Sequence, residues 1–314
     1  MSKYTIGIDV GGTKIAYGLF DENNNLLVRA RQDSNPGMDC EEFFSNIAQK
    51  VIEMAPDGDL GKINGVGIGM PSYIDFDAGY IIKTVSLTKL REFHARDFLS
   101  EKLGGMKVAL DNDAHAAALA EHRYGAGRGF SHMLYCPVST GLSSGIIINN
   151  ELFRGSYGFS GESGHTIITP GEGLLCGCGN RGCVMSWCSG LMIVRHIQNW
   201  ISAGEASIMS ELAGSADMIQ TAHIDEAFDR GDALAVRAVE QMAGYLAVWL
   251  FNLYLTLNIN CFVFGGGLLN MGDKLFSRVR RLFDGYNQNS YPVYFKTAEL
   301  GEDFGIIGAA ALVD

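Results

Sequence analysis

One histidine and four cysteines crowd the stretch GHTIITPGEGLLCGCGNRGCVMSWCSG, and four of these residues form a close set: His165, Cys176, Cys178 and Cys183. One imidazole nitrogen and three thiolate sulfurs make a complete tetrahedral set for a structural zinc ion, leaving no open position for water. Gly177, Gly179 and Gly182 let a short backbone fold round one ion. The bland alternative is a group of buried or redox-active free thiols. Cys188 stands outside the set. With four protein ligands, the metal is a staple and not a reaction centre.

A second chemistry sits in three turns. Asp9-Val10-Gly11-Gly12-Thr13-Lys14 joins two apolar runs, Ser139-Thr140-Gly141 joins two more, and Gly265-Gly266-Gly267 follows the run CFVF. Backbone amides in such turns can face phosphate oxygens. For the first turn alone, a Gly-Gly hairpin with a purely structural role is the alternative. The chain has no Walker A motif. Three such turns at strand ends favour nucleotide binding. A third chemistry is acidic. In Asp111-Asn112-Asp113 an aspartate either caps a helix or, with Asn112, holds a hydroxyl and takes its proton, as phosphoryl transfer to an alcohol requires. Glu162 and His165 could receive further hydroxyls, or Glu162 is a solvated loop acid.

These residues need elements to carry them. Residues 3–21 read as a hairpin about the Gly-Gly turn. Helical spacing covers 41–54, and NGVGIG (64–69) is a short strand. A strand at 107–110 leads into a helix at 113–124. MLYCPV and SGIIIN read as paired strands. From Leu191 the pattern is mostly helical, with a long helix at 233–257, the buried strand Cys261–Phe264 and a final helix at 306–313. Strands alternating with helices predict an α/β fold. The repeated hairpin, glycine turn and helix predicts two similar halves around a cleft, with the boundary near 115–130.

Composition narrows the classes. The 314 residues carry a net charge of −11, 47% hydrophobic and 19% charged. An acidic surface argues against nucleic-acid binding. The N-terminus is no signal peptide. The most apolar segment, 243–260, is shorter than a clean membrane span and includes Asn252, so it reads as a buried helix. The expected location is the cytoplasm, where clustered cysteines point to metal before disulfides.

In this order the pieces resemble the ROK proteins (repressors and sugar kinases), within the actin-like ATPase fold. The resemblance rests on DVGGTK (9–14), Asn112–Asp113 before an alanine-rich helix, ESGH (162–165), CGCGNRGC (176–183) and VFGGG (263–267), and it covers essentially the whole chain. It implies a two-domain actin-like (ribonuclease H-like) fold with an interdomain cleft. Residues 1–115 would form the N-terminal domain, joined by the C-terminal helix at about 303–314, and 116–302 the domain with the zinc loop. It implies an ATP-dependent sugar kinase acting on the 6-hydroxyl of a hexose or N-acetylhexosamine, with Asp113 as base. Asn112, Glu162 and His165 would bind sugar hydroxyls, His165 bridging sugar and zinc. Gly11, Gly12, Thr13, Lys14, Thr140 and Gly141 would face the ATP phosphates, Asp9 would lie near Mg2+, and Gly265, Gly266 and Gly267 would border the adenosine. A homodimer is expected.

Family repressors carry a winged helix-turn-helix ahead of the DxGGT strand. Here that strand begins at about residue 4, so a kinase is expected and not a DNA-binding regulator. A weakened kinase that senses sugar through a partner is the second reading. The chain departs from the family pattern at several places. Met185 replaces a sugar-contacting glutamate, and Ser139, Ser143 and Ser144 replace glycines of the second phosphate loop. Val85-Ser86-Leu87 replaces a Pro-Asn-Leu segment, and His115 stands where asparagine is common.

Overall fold

Apolar, β-branched runs separated by glycine turns build the first part of the chain, which a computed structural model describes over residues 4–84 and 86–313. Lys3, Val85 and Asp314, named in the readings above, lie outside the described residues. In chain order come β1 (Tyr4–Val10), β2 (Lys14–Phe20), β3 (Leu26–Asp33), α1 (Cys40–Met54), β4 (Ile63–Met70), β5 (Ser72–Asp75), β6 (Tyr80–Thr84), β7 (Arg91–Phe93), α2 (Ala95–Lys102), β8 (Val108–Asn112) and α3 (Asp113–Tyr124). One sheet has the order β3-β2-β1-β4-β8. The β1–β2 pair is antiparallel, with Asp9 opposite Ala16, whereas β1–β4 and β4–β8 are parallel. The helices α1 and α2 supply the crossovers that parallel pairing needs. β5, β6 and β7 form a small antiparallel sheet of their own.

The chain divides into two compact units: Met1–Tyr135 with Gly145–Ser160 and Ala298–Asp314, and Cys136–Ser144 with Gly161–Thr297. β9 (Met133–Pro137) carries the chain from one to the other. In the first unit, β9 pairs antiparallel with β10 (Gly145–Ile148), which pairs with β11 (Glu151–Leu152). Asp39 caps α1 by accepting from Glu42 N at 2.9 Å, and Phe43, Phe44, Ile47 and Val51 bury against Ile6, Ile8 and Ile68.

The second unit holds α4 (Met185–Cys188), α5 (Gly190–Ser202), α6 (Met209–Ala213), α7 (Thr221–Asp229), α8 (Ala233–Leu257), β12 (Cys261–Gly265), α9 (Gly272–Tyr286) and β13 (Tyr294–Thr297). β12 and β13 are parallel, and Phe262, Phe264, Phe283 and Phe295 form an edge-to-face aromatic cluster over them. α8 is long and apolar enough, by length and composition, to cross a membrane. Its face bearing Leu234, Met242, Leu246, Trp249 and Leu250 is buried among α4, α5, α7 and α9, while Leu255 is exposed.

The last helix of the chain, α10 (Phe304–Ala311), belongs to the first unit and packs on β1, β4 and α3. Its approach is so close that a Cβ at Gly67 would lie 1.7 Å from Ala309 O. The glycines of β4 are therefore spaces for a helix. The alanine-rich α3 offers the matching flat face, since alanine favours helix and adds little bulk. Buried Glu121 at the end of α3 accepts from the N–H groups of Ala126, Glu299 and Leu300 at 2.9–3.1 Å, and this ties the approach to α10 in place.

Candidate active site

The junction of β8 and α3 concentrates the acids of the first unit. Asn112 ends the strand and caps the helix, its Oδ1 accepting from Ala114 N at 2.8 Å while its Nδ2 donates to Ser72 O at 3.2 Å. With Asn112 as the cap, Asp113 is the first helical residue, accepting from Ala114 N at 2.9 Å. Burial pushes the Asp113 carboxyl above its ordinary range, against the pull of the Ala114 N–H and the His115 charge. Asp9, at the end of β1, is raised to about 6, first by burial and then by the charge of Asp113. The Asp9 carboxylate also lies against the start of α10, where a Cβ at Gly305 would stand 2.3 Å from Asp9 Oδ2.

Two acids raised by burial, one of them also by its neighbour's charge, suit a site that receives a proton and a cation. The cost shows in the free protein. A shift from 3.8 to about 6 corresponds to about 3 kcal/mol at most. Because the folded pKa is raised, the carboxyl favours folding below pH 3.8, and this contribution is lost as pH rises through about 6. Asp9→Asn is therefore expected to raise the urea midpoint of the ligand-free protein at pH 8 and to leave it unchanged near pH 4. A midpoint at pH 8 equal to or below wild type would rule this out.

Asp111 faces the other way. It is 2% exposed, and its Oδ1 meets His115 Nδ1 at 2.8 Å while its Oδ2 accepts from Arg154 Nε at 2.7 Å. Burial raises its carboxyl, but His115 and Arg154 outweigh burial and hold it below its ordinary value. His115 is 1% exposed, and Arg154 stacks over Phe76 at 3.6 Å. Residue types left a cap and a base open for these aspartates, and the family resemblance singled out Asp113. The Asp111–His115–Arg154 network was missed because Arg154 lies 43 residues from Asp111.

The Gly11–Lys14 turn closes with Gly11 N donating to Lys14 O at 2.8 Å, and buried Ser34 braces it from behind through Oγ to Gly11 O at 2.7 Å. Thr13 and Lys14 are exposed.

In the second unit the other two turns meet. Val138 N donates to Gly265 O at 2.8 Å, and Leu268 N to Val138 O at 3.1 Å. Gly266 adopts φ 93° and comes so close that a Cβ would sit 2.6 Å from Val138 O, so glycine is required there. Beside them a cavity of about 260 Å³ is lined by Ser139, Thr140, Gly267 and Leu268 together with Leu191 and Ile219.

The zinc ligands proposed from sequence come together: the donor atoms of His165, Cys176, Cys178 and Cys183 all lie within 4.8 Å of one another. His165 Nδ1 is 3.3 Å from Cys176 Sγ, and the Cys178 and Cys183 sulfurs are 3.5 Å apart and unbridged. The two shorter spacings are close to the edges of a tetrahedron with zinc–sulfur bonds of about 2.3 Å. Burial lowers the His165 pKa, which leaves the imidazole neutral and able to offer a lone pair. Its other nitrogen, Nε2, lies 3.7 Å from Glu162 Oε2. Gly182, at φ 87°, packs against Thr169 O, and Cys183 then pairs with Ile167. Cys188 is buried elsewhere, donating to Val184 O.

The segment bearing Glu162 and His165 is braced by the second turn. Ser144 N donates to Gly161 O at 2.7 Å, and buried Ser144 Oγ meets Ser163 Oγ at 2.9 Å. The serine at a usual glycine position is thus a brace. Met185 is half-buried at the start of α4, its Cε within 3.3 Å of where a Gly141 Cβ would stand.

The ROK family pattern matches residues 5–314. The chain belongs to the ROK family. A glucokinase of Streptomyces coelicolor is 33% identical to this ROK chain over 317 residues, 98% of this chain and 96% of that protein. The structure of a ROK family glucokinase from Streptomyces griseus, in complex with glucose and AMPPNP, matches with a TM-score of 0.79 at 33% identity, covering 98% of each chain. A xylose repressor of Bacillus spizizenii is 28% identical over 316 residues, 99% of this chain and 77% of that protein. The fold is the α/β actin-like ATPase fold of the ROK kinases.

Proposed function

We propose that this ROK chain is an ATP-dependent sugar kinase that phosphorylates the 6-hydroxyl of a hexose or N-acetylhexosamine. The observation that carries the reading is Asp113, buried and raised in pKa beside Asn112 at the β8–α3 junction. In this reading Asp113 takes the hydroxyl proton as the sugar oxygen bonds to the γ-phosphorus and the bond to the leaving ADP breaks. On the same reading Asn112 helps hold the hydroxyl beside Asp113, the Gly11–Lys14 turn and Thr140–Gly141 serve the phosphates, and Asp9 serves Mg2+. Glu162 and His165 serve sugar hydroxyls, and Gly265–Gly267 the adenosine. Mg2+ would neutralise phosphate charge, and zinc would fix the His165–Glu162 segment from outside the reaction. A zinc–thiolate loop fits a reducing cytoplasm, and a homodimer remains part of the proposal.

The second reading, a sugar sensor acting through a partner, draws on the similarity to a xylose repressor. A sensor has no use for a base such as Asp113. A coupled ADP-release assay over hexoses, amino sugars and N-acetyl sugars separates the two. Sugar-stimulated ADP release supports the kinase, and sugar binding without turnover supports the sensor.

Met185 bears on which sugar is preferred. A methionine accepts no strong hydrogen bond, whereas a carboxylate there could bond sugar hydroxyls for about 1.5–3 kcal/mol. Met185→Glu is expected to raise kcat/KM for plain glucose or mannose about 10-fold or more, and to harm the native substrate. An unchanged ranking across the panel would mean that position 185 does not face the sugar, and its contact with Gly141 would then be its whole role.

A further inference from the structure

The His115 ring is held between acceptors on both sides. Its Nδ1 faces Asp111 Oδ1 at 2.8 Å, and its Nε2 faces Ser160 O at 3.1 Å and Ser160 Oγ at 3.4 Å. The Ser160 hydroxyl donates its proton to Phe153 O, so toward the imidazole it can only accept. A ring with an acceptor at each nitrogen satisfies both only when both nitrogens carry protons. Arg154, from the same loop as Ser160, holds the second oxygen of Asp111, and Ser160 N donates to Arg154 O at 3.2 Å. The cluster of Asp111, His115 and Arg154 therefore holds two positive charges against one negative charge, with Asp111 and His115 buried and Arg154 partly exposed.

We propose that His115 is a positioning residue for the phosphoryl transfer: as a permanent imidazolium it locks the 153–160 loop to the end of β8 and keeps a positive charge beside the base Asp113. The proposal rests on the kinase reading and extends it to a residue that does not touch substrate. Asp113 follows Asp111 by two residues and precedes His115 by two, so a tilt of this junction displaces the base and the Asn112 amide together. The ionisable groups around the ring are Asp111 from β8, Arg154 from the loop and Asp113 from α3 itself, with Asp9 of β1 beyond Asp113. β4, β10 and α10, which also pack on α3, contribute no ionisable side chain, and Glu151 of β11 is exposed. The charge of His115 thus opposes the burial of Asp113 with little competition. Burial lowers the ring pKa, but Asp111 and Ser160 raise it more, and the net shift is upward.

Two measurements decide this. The first needs no turnover: long-range nitrogen–proton NMR of the imidazoles in the full chain at pH 7.5, with His115→Gln as the assignment control. A His115 ring protonated at both nitrogens supports the proposal, and a ring carrying one proton overturns it. The second is the pH profile of kcat/KM for the best sugar of the panel. Removing a positive charge beside Asp113 should move the acid limb of His115→Gln upward by about one pH unit, with kcat falling more than KM changes. An unmoved limb, or a loss confined to KM, overturns the role in positioning the base. Should no sugar be phosphorylated, the kinase reading fails, and with it the role assigned to Asp113. The NMR result then still decides whether the imidazolium lock exists.

Discussion

Asp113→Asn lowers kcat about 10²–10⁴-fold, the range in which a positioned general base contributes, while sugar affinity changes little. The amide keeps the shape of the side chain and its contact with Ala114 N but can no longer take a proton. Because burial raises the Asp113 carboxyl above its ordinary 3.8, wild-type activity should fall as pH drops through that raised value, and this acid limb should vanish in the variant. Steady-state kinetics from pH 5 to 9 check both points. A variant retaining more than about a tenth of wild-type kcat would remove Asp113 from the role of base.

Loss of zinc should be the largest structural effect. The purified chain should hold about one zinc, bound by three thiolates and the His165 imidazole. Cys178→Ser leaves three ligands and should shed the metal. Metal binding to such a set is folding free energy, so the expected loss exceeds about 4 kcal/mol and lowers Tm by about 10 °C or more. Activity should fall too, although no cysteine is assigned to substrate, because His165 and Glu162 share one short segment with the metal ligand set. Metal analysis, thermal unfolding and kcat/KM of the variant beside wild type provide the check. Zinc-free wild type with full activity and unchanged Tm would refute the staple.

How legible these features were depended on how local they are. The bounds of α3 and α8 could be read because a polar cap precedes each, Asn112 and Asp232, and an alanine-rich or apolar run follows. β12 stood out as a buried run of four apolar residues closed by glycines. β3 was missed: LLVRARQD alternates charges on an exposed sheet edge and so lacks a strand's apolar signature. β5, β6 and β7 were missed because strands of three to five residues leave too little pattern. α10 begins at Phe304, two residues before the apolar run suggested. The zinc set was visible because ligand types cluster in sequence. The Asp111–His115–Arg154 network was not, because it joins two distant segments through tertiary packing. Ser144 read as a departure from a phosphate loop, whereas its bond to Ser163 is a structural brace that no local pattern announces.

The account is tested most directly by phosphorus-31 NMR of a mixture of the purified chain, Mg2+, ATP and the sugar that gives the fastest ADP release. The prediction is a loss of γ-phosphate matched by ADP and by a new phosphate monoester coupled to the protons on sugar carbon 6, absent when sugar is omitted and strongly slowed in Asp113→Asn. ATP consumed to inorganic phosphate at the same rate without sugar, or no monoester with any sugar of the panel, would contradict it.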